Sequence, residues 1–227
     1  MIINCMSNIN LPVSNNIDFR GDIAIISNIT HTHNRKLIKS FIKKFDYFKE
    51  IIFIPGDIDV LFDTEFFISD VYKHTFNHRK ILRNKIDIIN DNELDIVILR
   101  DDYYEIDGIE DTIKIYGQSY SEHKKYIINS EVYKTNGMSH LKHTNDIINL
   151  RNKIPKCDIL ITSAQPFGNK NVVCNLLFNK TLDIKPKYHI YNGSSTFSDK
   201  QIRKYNDITF INSNIYINNK QSYIFKY

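Results

Sequence analysis

Directly after the apolar run EIIFI, the stretch PGDIDVLFD gathers Asp57, Asp59 and Asp63 just past a Pro-Gly turn. Carboxylates at the carboxyl end of a strand can hold a divalent cation or relay a proton. Ile58 stands between the first two, where such a site wants a further ligand or a general acid. A second candidate set is His31 and His33 in SNITHTHN, an imidazole pair that, with Asp57 and His189, would suit Zn²⁺ or Mn²⁺. His140 and His143 in SHLKH are three apart and would share a helical face. Spacing fixes no further ligand for either pair. Asp57 and Asp59 also have a plainer reading, as turn and helix-capping residues ahead of Thr64. No Ser/His/Asp set, Gly-rich phosphate loop or glycosidase-type carboxylate pair emerges from the spacing. The loops GNK (168 to 170) and NGSS (192 to 195) offer an anion little beyond backbone N–H groups.

Short β-branched runs must position these side chains: IINCMS (2 to 7), DIAIIS (22 to 27), EIIFI (50 to 54), LDIVIL (94 to 99), TIKIYG (112 to 117), CDILIT (157 to 162), KYHIY (187 to 191), DITFINS (207 to 213) and QSYIFKY (221 to 227). Each is too short for a helix and bounded by polar or Gly/Pro residues, so each predicts a strand. RKLIKSFIKKFDYF (35 to 48) sets Leu37, Ile38, Phe41, Ile42, Phe45 and Phe48 on one helical face, and segments 64 to 74 and 144 to 154 have weaker helical spacing. The segment 121 to 146 is the least regular and reads as a surface excursion. Strand alternating with helix, then mostly strand, predicts a mixed α/β sandwich, one domain over residues 1–227. In such a fold the working residues sit in loops at the carboxyl ends of strands. Those loops are SNINL, SNITHTHN, PGDIDVLFD, TSAQPFG and NGSSTF.

Composition narrows the function classes. A net charge of +4, with basic and acidic residues intermixed, gives no stripe for a nucleic acid polymer. No apolar run approaches the roughly 18 to 20 residues that cross a bilayer, and MIINCMSNIN lacks the flank and apolar stretch of a signal peptide, so the expected location is cytoplasmic. Cys5, Cys157 and Cys174 are odd in number without a CxxC, which argues against a disulfide framework or zinc knuckle. Richness in Ile, Asn and Lys, with seven Gly and no Trp, suggests an AT-rich genome, such as that of a virus, parasite or bacterium.

In order and spacing, the loops resemble the signature loops of calcineurin-like metallophosphoesterases. The branch they resemble most is the metallophosphoesterase-domain-containing proteins, which are similar to class III cyclic-nucleotide phosphodiesterases. CMSNIN stands where that family has a strand ending Ser-Asp-Thr-His, and GDIAIISNIT where it has Gly-Asp, a strand and Ala-Gly-Asp. GDIDVLFD stands for Gly-Asn-His-Glu/Asp with its trailing Leu-Thr-Phe-Asp, and KIYGQSY for Ile-Tyr-Gly-Ser/Ala-Pro. DILITSAQPFG corresponds to the Thr-His-Gly-Pro-Pro loop, PKYHIYNGSS to Pro-Lys-Xaa-His-Xaa-Phe-Gly-His/Gly-Ile-His, and FINSN to the closing Ile-Asn-Ala-Ser. The resemblance implies a four-layer α-β-β-α sandwich with a dinuclear metal site.

The departures fall on the chemistry that the resemblance implies. The first-loop Asp and His become Asn8 and Asn10, and the bridging Asp becomes Asn28. The Asn ligand becomes Asp57, and the His that contacts the phosphate or protonates the leaving group becomes Ile58. The fourth-loop His becomes Ser163, and the last pair becomes Gly193 and Ser195. Neutral amides and hydroxyls are weak ligands for hard cations, and a lone Asp57 cannot hold two. PGDIDVLFD therefore reads as the frame of a catalytic loop without its chemistry, and the expected protein is catalytically inactive, without a resident cofactor. It acts by binding a protein partner or by sequestering a nucleotide. The rival expectation is an active phosphodiesterase or phosphatase with rearranged ligands, using Mn²⁺ or Zn²⁺ at His31, His33, Asp57 and His189.

Overall fold

Unbroken β-branched runs suit strands that are covered on both faces. IINCMS and IAIIS are such runs, and all but the first residue of the two segments are buried. The computed structural model describes residues 1–9, 11, 17, 19–29, 35–56, 59, 95–108, 111–119, 121–122, 125–128, 131–134, 141–142, 144–167, 172–193, 201–216 and 221–227. In chain order the first strands are β1 (Ile2–Ser7), β2 (Ile23–Ser27), β3 (Glu50–Ile54) and β4 (Val97–Ile98), with helix α1 (Arg35–Ile42) and a 3₁₀ turn (Lys43–Phe45) between β2 and β3. Then come β5 (Asp102–Asp107), β6 (Thr112–Gln118), β7 (Ser121–Glu122), β8 (Lys125–Ile128), β9 (Glu131–Lys134) and β10 (Leu141–Lys142). Helix α2 (Thr144–Asn152), β11 (Ile159–Thr162), α3 (Val172–Ile184), β12 (Tyr188–Tyr191), β13 (Ile202–Tyr205), β14 (Ile208–Asn212) and β15 (Tyr223–Lys226) complete the described elements.

Two mixed sheets carry the chain. One runs β15-β1-β2-β3-β4, parallel except for β15; the other runs β13-β14-β12-β11-β6-β5, parallel except for its two edge strands. Ile3, Cys5, Ile23, Ile25, Ile52 and Ile54 of the first sheet share one apolar cluster with Ile113, Ile115, Ile159, Ile161, Ile190 and Ile211 of the second. Alternate residues of the first sheet, among them Ala24, Ile26 and Phe53, pack instead with Ile38, Phe41 and Ile42 of α1 and with Phe45 and Phe48. On the second sheet, Tyr116 and Leu160 meet Leu177 and Ile184 of α3. Phe210 and Tyr191 meet Phe167 and Phe178. No helix among the described residues is long and apolar enough to cross a membrane.

A buried polar chain ties α2 to the second sheet. The fully buried Arg151 donates to Gln118 Oε1, whose own amide donates to Asp101 Oδ1 at 2.7 Å. Tyr116 also donates to Asp101 Oδ1. Burial lowers the guanidinium to about 10, with Cys174, Asp101 and Tyr116 opposing, so it stays charged at neutral pH.

Several expectations change in detail. Of the described residues of LDIVIL, only Val97–Ile98 form strand. The helix expected over 35 to 48 gives way after Ile42 to the 3₁₀ turn, which delivers Phe45 and Phe48 to the core and turns the chain into β3. The excursion at 121 to 146 contains the antiparallel pair β8–β9, the parallel pair β7–β10 and the start of α2. The helix expected at 64 to 74 lies outside the described residues.

Candidate functional site

Parallel pairing stacks the carboxyl ends of the strands. In the first sheet Ser7 lies opposite Ser27 and Ser27 opposite Ile54. In the second, Gln118, Thr162, Tyr191 and Asn212 form one row across β6, β11, β12 and β14. The two rows meet at Ser7. Its N–H donates to Ser213 O at 2.7 Å, its carbonyl accepts from Ile215 N at 3.2 Å, and its hydroxyl donates to Asn192 Oδ1 at 3.1 Å. The loops that follow β1, β2, β3, β11, β12 and β14 therefore share one end of the molecule, and with them Asn8, Asn28, Ser163 and Gly193.

Asn8 and Asn28 occupy the same structural position, the first residue past β1 and past β2. Both are in the left-handed region, with φ of 57° and 53°. Asn tolerates that backbone better than most residues, which is a local reason for a short polar side chain at each position. Asn28 donates its amide to Asn8 Oδ1 at 3.0 Å, and Ile9 N donates to the Asn28 carbonyl at 2.9 Å. Asn28 Oδ1 is buried without a hydrogen-bond partner among the described residues. It lies against Gly56, where a Cβ would stand 1.5 Å from it. Glycine is required here by this close approach, not by a turn.

Asp59 binds these loops together. Fully buried, it accepts Ile29 N on Oδ1 at 3.0 Å and Gly56 N on Oδ2 at 2.6 Å. One carboxylate thus satisfies main-chain donors after β2 and after β3, a staple between the Asn28 loop and the Gly56 loop. Asp59 N–H donates to Gly56 O at 3.2 Å, a turn contact, while Asp57 and the helix-capping role expected ahead of Thr64 lie outside the described residues. The reach back to Ile29 was not foreseeable from spacing.

Asn212 and Asn214 build the other side. Asn212 Oδ1 accepts from Gly193 N and from Asn214 N, both at 3.1 Å, and Asn214 Nδ2 donates to Gly193 O at 2.6 Å. A Cβ on Gly193 would come within 2.4 Å of Asn212 Nδ2. Ser163 turns its hydroxyl away to Ser119 O at 2.5 Å. Of the remaining candidates, Asn10, His31, His33, Asp57, Ile58, His140, His143 and Ser195 lie outside the described residues.

His189 is buried in β12, with Thr162 Oγ1 3.0 Å from Nε2 and Thr181 Oγ1 3.1 Å from Nδ1. Both ring nitrogens are thereby engaged, which makes it a strut between β11, β12 and α3. Burial, and then the nearby Arg151 charge, push its imidazole down to about 3 from the usual 6.5. Between those values the unfolded chain binds a proton that the folded chain refuses, so stability falls as pH drops through that window. From about pH 7 to pH 5 this group alone should remove about 2 kcal/mol. Urea unfolding at the two pH values measures it, and His189→Gln should flatten the slope. An unchanged slope in that variant would assign the pH dependence to other groups.

The donor set can be tested against the dinuclear centre implied by the loop resemblance. Such a centre needs anionic oxygen or imidazole nitrogen. Asn8 Oδ1 already accepts an amide, Ser163 donates to a carbonyl, Gly193 has no side chain, and each Asp59 oxygen already accepts a main-chain N–H. These residues do not fit two cations. Among the described residues no group of three or more His, Cys, Asp or Glu side chains gathers to hold one. No protein-family model matches the chain, and no curated protein is significantly similar to it.

Proposed function

We propose that the chain is a metallophosphoesterase-type domain without metal chemistry, a four-layer α-β-β-α sandwich that acts by binding a protein partner. The loop resemblance suggests the fold. The apolar cluster shared by the two sheets, with α1 on one outer face and α3 on the other, is in keeping with it. The observation that carries the functional reading is the Asn28–Asn8 amide hydrogen bond at the ends of β1 and β2. At these positions the resembling family uses carboxylates to bring two cations onto a phosphoryl group. Two neutral amides joined by a hydrogen bond neither acidify a water nor offset charge on a phosphorane.

Loss of the cations also removes the dense positive charge that would hold a phosphate. Mono- and cyclic nucleotides would then rely on backbone N–H groups and surface lysines, a limited contribution. A protein surface is therefore the favoured partner, and nucleotide capture is the weaker one. The test is hydrolysis of bis(p-nitrophenyl) phosphate by purified protein with millimolar Mn²⁺ or Zn²⁺. The expected rate equals that of the metal-only blank. Turnover that needs the protein and disappears on chelation would favour the rival reading, an active phosphodiesterase with rearranged ligands.

A further inference from the structure

We propose that the chain associates head to tail with further copies of itself, the β5 edge of one copy adding to the β13 edge of the next. These strands are the two borders of the second sheet, and among the described residues no strand pairs with the outer edge of either. An open edge presents unpaired N–H and C=O groups that form a template for another strand. The two borders differ in sign. β5 reads DYYEID and carries Asp102, which accepts Tyr103 N at 2.8 Å, Glu105, which lies 4.0 Å from Lys114 Nζ, and Asp107, all exposed, whereas β13 reads IRKY and carries Arg203 and Lys204.

Charges on an edge strand commonly serve to block pairing. Here that protection works only between like edges: β5 repels β5 and β13 repels β13, while β5 attracts β13. Each edge also offers large exposed apolar surface, Tyr103 at 41% on β5 and Ile202 and Tyr205 at 38% and 47% on β13. Direction is compatible as well. β5 is antiparallel to β6, β13 is antiparallel to β14, and β6 and β14 run the same way through β11 and β12. A second copy whose core face continues that of the first thus brings β13 alongside β5 as a parallel pair. Like charges exclude the two-fold arrangement, so the contact is heterologous and extends beyond a dimer. This inference is independent of the metal chemistry.

Sedimentation velocity of the full chain over a range of concentrations tests it. At low salt the weight-average mass should rise with concentration past that of a dimer. Because screening shortens the reach of these charges from about 10 Å at 0.1 M salt to about 3 Å at 1 M, the association constant should fall roughly tenfold or more over that range. E105K/D107K makes both borders basic and I202E/K204E makes both acidic, so each variant alone should stay monomeric. An equimolar mixture should associate again, because unlike borders are then present, and this recovery shows that both variants are folded. A wild-type monomer throughout, assembly that stops at two, or single variants that assemble as before would each overturn the proposal.

Discussion

Asp59→Ala is expected to cost about 3–5 kcal/mol of folding stability, a large share of the margin of an ordinary domain. The side chain is fully buried and accepts two main-chain N–H groups, Ile29 N after β2 and Gly56 N after β3. Alanine leaves both donors buried without that acceptor, and the cost of an unmade buried hydrogen bond is about 1–3 kcal/mol each. Asp59→Asn keeps one of the two bonds on its carbonyl oxygen but sets its amide N–H₂ donor against the other main-chain N–H, so it should destabilise as well. Urea unfolding at neutral pH reads both variants. A loss under about 1 kcal/mol for the alanine variant would show that the loops after β2 and β3 hold their places without the carboxylate.

Gly56→Ala is the second large effect. The added Cβ would lie 1.5 Å from Asn28 Oδ1 and 2.3 Å from its Cγ, far inside contact distance. Asn28 is 4% exposed and anchored to Asn8, so its amide has to rotate and surrender that hydrogen bond. Overpacking of this kind costs about 1–3 kcal/mol, and the lost bond adds about 1. Asn28→Ala removes the obstructing atoms. Gly56→Ala should therefore be milder in an Asn28→Ala background than in the wild type, a non-additivity expected of residues in contact. Strict additivity would mean that the methyl group is accommodated by movement of the Gly56 loop.

The elements legible in the sequence are those whose apolar residues run unbroken. IINCMS, IAIIS, EIIFI and ILIT are strands close to the bounds their composition suggests. β5 and β13 are missing from the expected strands because an edge strand carries charge where a central strand carries isoleucine, and DYYEID and IRKY lack an unbroken apolar run. Helix α3 carried a signal that went unread: Asn175, Asn179 and Asp183 recur every four residues and form its exposed face. At the candidate site, the end-of-strand positions of Asn8, Asn28, Ser163 and Gly193 follow from pattern alone. The amide pair, the Asp59 staple and the Asn212–Gly193 contact do not. Each joins residues about 20 or more apart, and such contacts depend on strand register and backbone conformation that composition does not encode. Asn212 had a signal in the FINSN motif, but its role in holding Gly193 is visible only in three dimensions.

The most direct measurement is metal stoichiometry. Protein incubated with Mn²⁺ or Zn²⁺, desalted and analysed for metal should retain well below one equivalent, because amide and hydroxyl oxygens stand where carboxylates and imidazoles would be needed. Two tightly held equivalents, lost together with phosphodiester hydrolysis on chelation, would contradict the proposed reading without a metal centre and would make His31, His33 and Asp57 the first residues to mutate.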